Sequence, residues 1–94
     1  MATRNYFSVI TVSTTTYPDD PQADFGFNSQ GFSFLNRGSV VVYYSFDGET
    51  DEGDLDNSDE SVQAIFQSRA ECKVWLRVAS SSADVRVEAW RGRN

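Results

Sequence analysis

Residues 38–48 read GSVVVYYSFDG. Positions 40–44 are all β-branched or aromatic, a run that packs well on a pleated surface and loses rotamer freedom in a helix. Asn36, Arg37 and Gly38 before the run and Asp47 and Gly48 after it supply turn chemistry on both sides. The run predicts a central strand. Val40, Val42, Tyr44 and Phe46 would point one way, and Val41, Tyr43 and Ser45 the other. A strand apolar on both faces has to be covered on both, by a second sheet and by either a loop or a partner protein.

The same patterns recur along the chain. In residues 6–17, YFSVITVSTTTY, Tyr6, Ser8, Ile10 and Val12 share one face and Phe7, Val9 and Thr11 the other, which predicts a first strand with a polar end. Residues 17–31 interrupt the pattern with Pro18, Pro21 and Gly26. They read as an extended loop or arm. Phe25 and Phe27 within it either tuck over an open end of the core or insert into a neighbouring molecule. Residues 32–35 alternate and predict a hairpin with the central strand through the turn at 36–38. Residues 53–55 suit a short edge strand, and 62–66 a short strand or a single helical turn. In residues 72–78, Cys72, Val74, Leu76 and Val78 face inward, and Cys72 reads as a small buried hydrophobe rather than a reactive thiol. In residues 85–90, Val85, Val87 and Ala89 face inward. These last two segments predict an antiparallel hairpin. The expected fold is one all-β domain over residues 1–94, a small antiparallel β-sandwich or jelly-roll-like barrel.

Composition removes several function classes. The chain has 94 residues, no histidine, one cysteine and a net charge of −6. Without histidine there is no Ser-His-Asp or Cys-His arrangement, and one cysteine alone makes no zinc site. The only lysine, Lys73, alternates outward on a strand, and no glycine-rich phosphate loop precedes a helix. No enzymatic activity and no cofactor are expected. The acidic balance opposes binding to nucleic acid or to an anionic membrane surface. The start of the sequence holds no apolar region of signal-peptide length and the lone cysteine suits a reducing compartment, so a soluble protein made in a cytoplasm is expected.

Charge is segregated. Residues 47–60, DGETDEGDLDNSDE, hold eight of the chain's 14 carboxylates and no base. Asp47, Glu49 and Asp51 fall at the first three ligand positions of an EF-hand. Gly53 comes one place late, however, and Ser58 stands where the bidentate Glu belongs, so the EF-hand is rejected. A different calcium site on this acidic loop stays open beside a solvated negative loop. Six of the eight bases follow position 68. If the final hairpin forms, Trp75, Arg77, Arg86 and Trp90 share its outer face. Trp and Arg are the residues that dominate interfaces, which makes this the main contact hypothesis, with a second sheet covering both tryptophans as the alternative.

Asn36, Arg37 and Gly38, then residues 44–48 (YSFDG), 53–55 (GDL), 73–77 (KVWLR) and 85–90 (VRVEAW), in that order, resemble small virion proteins of tailed phages. These are short β-sandwich or jelly-roll proteins that decorate or cement the capsid shell. The likeness spans residues 32–90 and rests on strand and turn patterns. It implies a non-enzymatic, oligomeric structural protein of the virion, assembled in the host cytoplasm, that binds the major capsid protein across capsomer boundaries. Phe25, Phe27, Trp75 and Trp90 would be its anchors. The competing reading is a module that binds carbohydrate through exposed aromatics or calcium through the acidic loop.

Overall fold

The computed structural model describes residues 4–55, 63–66 and 70–92, and every regular element among them is a strand. In chain order these are β1 (Arg4–Val12), β2 (Ala23–Asp24), β3 (Gly31–Asn36), β4 (Val42–Ser45), β5 (Gly53–Leu55), β6 (Gln63–Phe66), β7 (Lys73–Val78) and β8 (Ala83–Arg91). They form two four-stranded antiparallel sheets of order β1-β8-β3-β6 and β2-β7-β4-β5. The sheets stack as an open sandwich, not a closed barrel, and the molecule is 18 Å along its shortest axis.

The pairing is nested. β4 pairs with its neighbour β5, and outside that pair lie β3 with β6, β2 with β7 and β1 with β8. One long hairpin, bent at residues 46–52 and rolled so that successive pairs fall in alternate sheets, generates this order. It is the strand order of a double-sheet jelly roll. The run at 40–44 therefore sits beside the tip of the roll, with β4 held between β5 and β7.

Alternation fills the interior. Phe32, Phe34, Val42, Leu55, Val74, Leu76, Val78, Val85 and Val87 are fully buried. Phe32 lies at the middle of an aromatic group, stacked on Phe66 at 4.7 Å between ring centroids and tilted against Phe34 at 5.5 Å and Phe25 at 5.9 Å. Burying each such side chain is worth about 1.5–3 kcal/mol, and ring pairs add about 0.5–1.5 kcal/mol. That density of aromatics lets so short a chain hold a core.

Two expected hairpins do not form. β3 and β4 lie in different sheets, and so do β7 and β8. The turns at 36–41 and 79–82 are arches that cross the sandwich. A strand buries the same alternate residues whether the next strand lies beside it or across the core, so alternation alone does not separate hairpin from arch. Asn36 closes the first arch. Its side-chain amide donates to the carbonyls of Val40 (2.7 Å) and Leu55 (3.1 Å), and its Oδ1 accepts from the Gly38 N–H (2.8 Å).

The segment at 17–31 is tied down along its length. Gln22 mimics a ladder step on β7, donating to the Leu76 carbonyl at 2.6 Å and accepting from the Leu76 N–H at 2.9 Å. Phe25 is only 6% exposed and its N–H donates to the Cys72 carbonyl. Phe27 packs against the same core. The inserting-arm alternative for Phe25 is thereby overturned. Cys72 lies just before β7 and is half-buried, not interior as expected. The edge strand at 53–55 and the strand at 63–66 stand where the sequence placed them.

Candidate interaction surfaces

The outer face of the β2-β7-β4-β5 sheet is roofed by the chain's own side chains. Arg77 on β7 stands opposite Tyr43 on β4, and its guanidinium lies over that ring at 4.3 Å from the centroid. The turn after β4 brings Asp51 to it as a two-point partner. Nε donates to Oδ1 at 3.0 Å and Nη2 to Oδ2 at 2.6 Å. Tyr17, arriving from the other side, donates its hydroxyl to Asp51 Oδ1 and places its ring 5.7 Å from the guanidinium. Planar Arg suits this double role of fork and stack, which Lys does not.

The electrostatics follow from the geometry. Arg77 first, and Tyr17 second, hold the Asp51 carboxyl below the usual carboxylate range. Burial, and then the neighbouring Asp51, push the Tyr17 hydroxyl well above its ordinary value. Asp47 is lowered to about 2, by the backbone N–H groups of Thr50 and Glu49 and by the Ser45 hydroxyl, all donating to its Oδ1 at 2.8–2.9 Å. This turn brings Gly48, at φ +82°, over Trp75, where a Cβ would come within 3.0 Å of the indole. Trp75 is thus sheltered by backbone. An open cleft of about 440 Å³ lies between Thr15, Thr16, Tyr17, Gly48 and Glu49, with Asp51 and Arg77 on its wall already engaged with each other.

The outer face of the β1-β8-β3-β6 sheet is bare. Strand register sets Phe7, Glu88, Ser33 and Ile65 in one row, and Val9, Arg86 and Leu35 in the next. Phe7 is 62% exposed, Ile65 51% and Val9 44%, and these are the large exposed hydrophobics among the described residues. Leu35 is half-buried. Trp90 is half-buried too and leans on Gly31 of β3, where an added Cβ would lie 2.6 Å from its ring. Arg86 and Glu88 form an ion pair at 3.5 Å in the middle of the face.

The structure does not bring the four expected contact residues onto one surface. Trp75 and Arg77 project from one sheet, and Arg86 and Trp90 from the opposite sheet, because their strands arch rather than pair. Phe7, Val9 and Ile65, which the structure leaves exposed on one face, are not singled out in the sequence reading. The signal for the first two was present, since residues 6–12 carry apolar side chains on both faces. Of the three carboxylates weighed for calcium, Asp47 is committed to its own turn and Asp51 to Arg77. Among the described residues no three side chains of metal-binding type converge. Residues 56–60 of the acidic loop lie outside the described residues.

No protein-family model matches the chain, and no curated protein matches it.

Proposed function

We propose that this chain is a non-enzymatic structural protein of a tailed-phage virion, of the type that decorates or cements the capsid shell by binding the major capsid protein. The observation that carries the reading is the bare sheet face, with Phe7, Val9 and Ile65 exposed across both edge strands of one sheet. A broad sheet face with exposed apolar side chains around a central ion pair suits a protein neighbour, whereas a small ligand needs a concave site. The jelly-roll strand order is shared by viral capsid proteins and lectins, and fold does not decide function. The absence of histidine from the sequence, and the engagement of Arg77 and Asp51 with each other, leave little equipment for acid–base chemistry.

No particular observation favours the carbohydrate or calcium reading. Trp75 lies under Gly48, and Asp47 and Asp51 are engaged. Co-sedimentation of the full chain with assembled shells of the cognate major capsid protein tests the proposal. Binding that saturates at a fixed ratio and ignores calcium and free sugars is the expected result. No binding to shells, or binding to glycans lost on Trp75→Ala or Trp90→Ala, overturns it.

A further inference from the structure

We propose that the bare face of the β1-β8-β3-β6 sheet pairs with the same face of a second copy, about a two-fold axis that crosses the strands between the Arg86 and Glu88 rows. This goes beyond the preceding reading: the protein neighbour of the bare face is a second copy, and the pair would meet the capsid protein through its remaining surfaces.

Strand register fixes which side chains would meet across such a pair. The two central rows of the face are Phe7-Glu88-Ser33-Ile65 and Val9-Arg86-Leu35, completed by position 63. A two-fold axis lying in the interface, perpendicular to the strands and midway between these rows, turns each row onto the other while keeping each strand over its own copy. Arg86 then meets the second copy's Glu88, and Glu88 the second copy's Arg86. In the same operation Phe7 meets the second copy's Val9, and Leu35 the second copy's Ser33. Apolar side chains face apolar ones at the β1 edge, and opposite charges face each other at the centre. The other in-plane axis, parallel to the strands between β8 and β3, sets Phe7 over the second copy's Ile65 but Arg86 over Leu35 and Glu88 over Ser33, so that each Arg86–Glu88 ion pair is covered with no charge of the second copy against it. Of the two isologous arrangements, only the first matches opposite charges between the copies.

Charge distribution points the same way. The chain carries −6 overall, which disfavours self-association on average. The two central rows, however, hold one acid and one base among their described side chains, and the connection bearing Asp47, Glu49 and Asp51 belongs to the opposite sheet. Asp84 lies beyond those rows on the same face, bonded to Thr11, so pairing sets together faces that are neutral at the centre and leaves the acidic connections of the opposite sheet on the two outer sides of the pair, free to meet a third protein. Sheets stacked this way lie about 10 Å apart. The face is four strands wide, about 20 Å, and about 30 Å long at β1 and β8. The total area buried is then on the order of 1,000 Å², at the low end for specific interfaces. A reversible, concentration-dependent dimer is the result.

The test is sedimentation equilibrium of the purified full chain and two charge-reversed variants, Arg86→Glu and Glu88→Arg, each checked for a wild-type thermal melt. Wild type should dimerise reversibly. Each variant alone should be monomeric at the same concentrations, because like charges then face each other. Their equimolar mixture should form a heterodimer, since one face offers two acids and the other two bases. A wild type that stays monomeric into the millimolar range overturns the inference. So does a dimer indifferent to both reversals, as edge-to-edge joining through β1 would give, or a mixture that stays monomeric. The capsid reading fails separately. A dimer that never co-sediments with shells overturns that reading alone, and a monomer that does co-sediment overturns only the pairing.

Discussion

The two outer faces of the sandwich are built from similar strands and end in opposite conditions. On the β2-β7-β4-β5 side the chain folds back over its own sheet. Tyr17 and Asp51 arrive from two separate connections and close on Arg77 and Tyr43, while Gly48 lies over Trp75. On the β1-β8-β3-β6 side nothing among the described residues covers Phe7, Val9 or Ile65. A 94-residue chain has few large apolar side chains to place, and here three of them stand in water. The difference teaches that apolar residues on a strand's outer face are not by themselves an interface. What matters is whether the same chain supplies the roof.

Four perturbations break or sharpen that contrast. Phe32→Ala removes the ring on which both sheets pack and should cost about 3–5 kcal/mol in urea or thermal unfolding. Both faces should be lost in one transition. Asn36→Leu leaves the Val40 and Leu55 carbonyls and the Gly38 N–H without their partner, at a cost on the order of 1–3 kcal/mol in the same melt. Arg77→Ala opens the roofed face. The pair with Asp51 is partly solvated, so its share is discounted, and with the loss of stacking on Tyr43 the expected cost is about 1–2 kcal/mol. Phe7→Ser should change the melt by less than about 0.5 kcal/mol, because that side chain has no interior role, yet it should abolish self-association. If Phe7→Ser destabilises the monomer as much as Arg77→Ala does, the two faces do not differ in the way described.

The roofed face also carries a pH signature. Asp47 and Asp51 have folded-state values below the ordinary carboxylate range, so between about pH 4 and pH 2 the unfolded chain binds more protons than the folded one. Their stabilisation is present above about pH 4 and is lost as pH falls through the folded values. Tyr17 is shifted upward, so its contribution is present below about pH 10 and is lost as pH rises above that, where the unfolded hydroxyl ionises first. Thermal melts of Tyr17→Phe should lose the alkaline slope and keep most of the acidic one. An unchanged alkaline slope would place its origin elsewhere.

Much of the fold was legible in the sequence. Alternation marked the inward residues of β7 and β8, turn chemistry marked the ends of β4, and the short GDL segment was found as an edge strand. The sheet assignment was not legible. A four-residue turn between two amphipathic strands serves an arch or a hairpin, and the choice is made by long-range pairing, here the nesting of β1 with β8 around everything between. The same ambiguity reaches the candidate site. Trp75 and Arg86 look like neighbours on a hairpin and stand on opposite sides of the molecule. The Arg77 clamp was invisible for a related reason, since Tyr17, Asp51 and Arg77 are far apart in sequence and meet only because the roll brings two connections over one strand. The acidic loop suggested calcium because carboxylate spacing can be read along a chain, whereas the arginine and backbone amides that engage two of those carboxylates cannot.

The central claim is that one face is roofed by its own chain while the other is left bare, as the proposed pairing requires. Amide chemical shifts of the labelled full chain, followed from low micromolar to millimolar concentration, test it most directly. The account predicts shifts confined to residues 5–11, 33–35, 63–66 and 84–90, with residues 15–17, 43–51 and 75–77 unmoved. Changes centred on Tyr17, Asp51 and Arg77, or no change anywhere over that range, would contradict it.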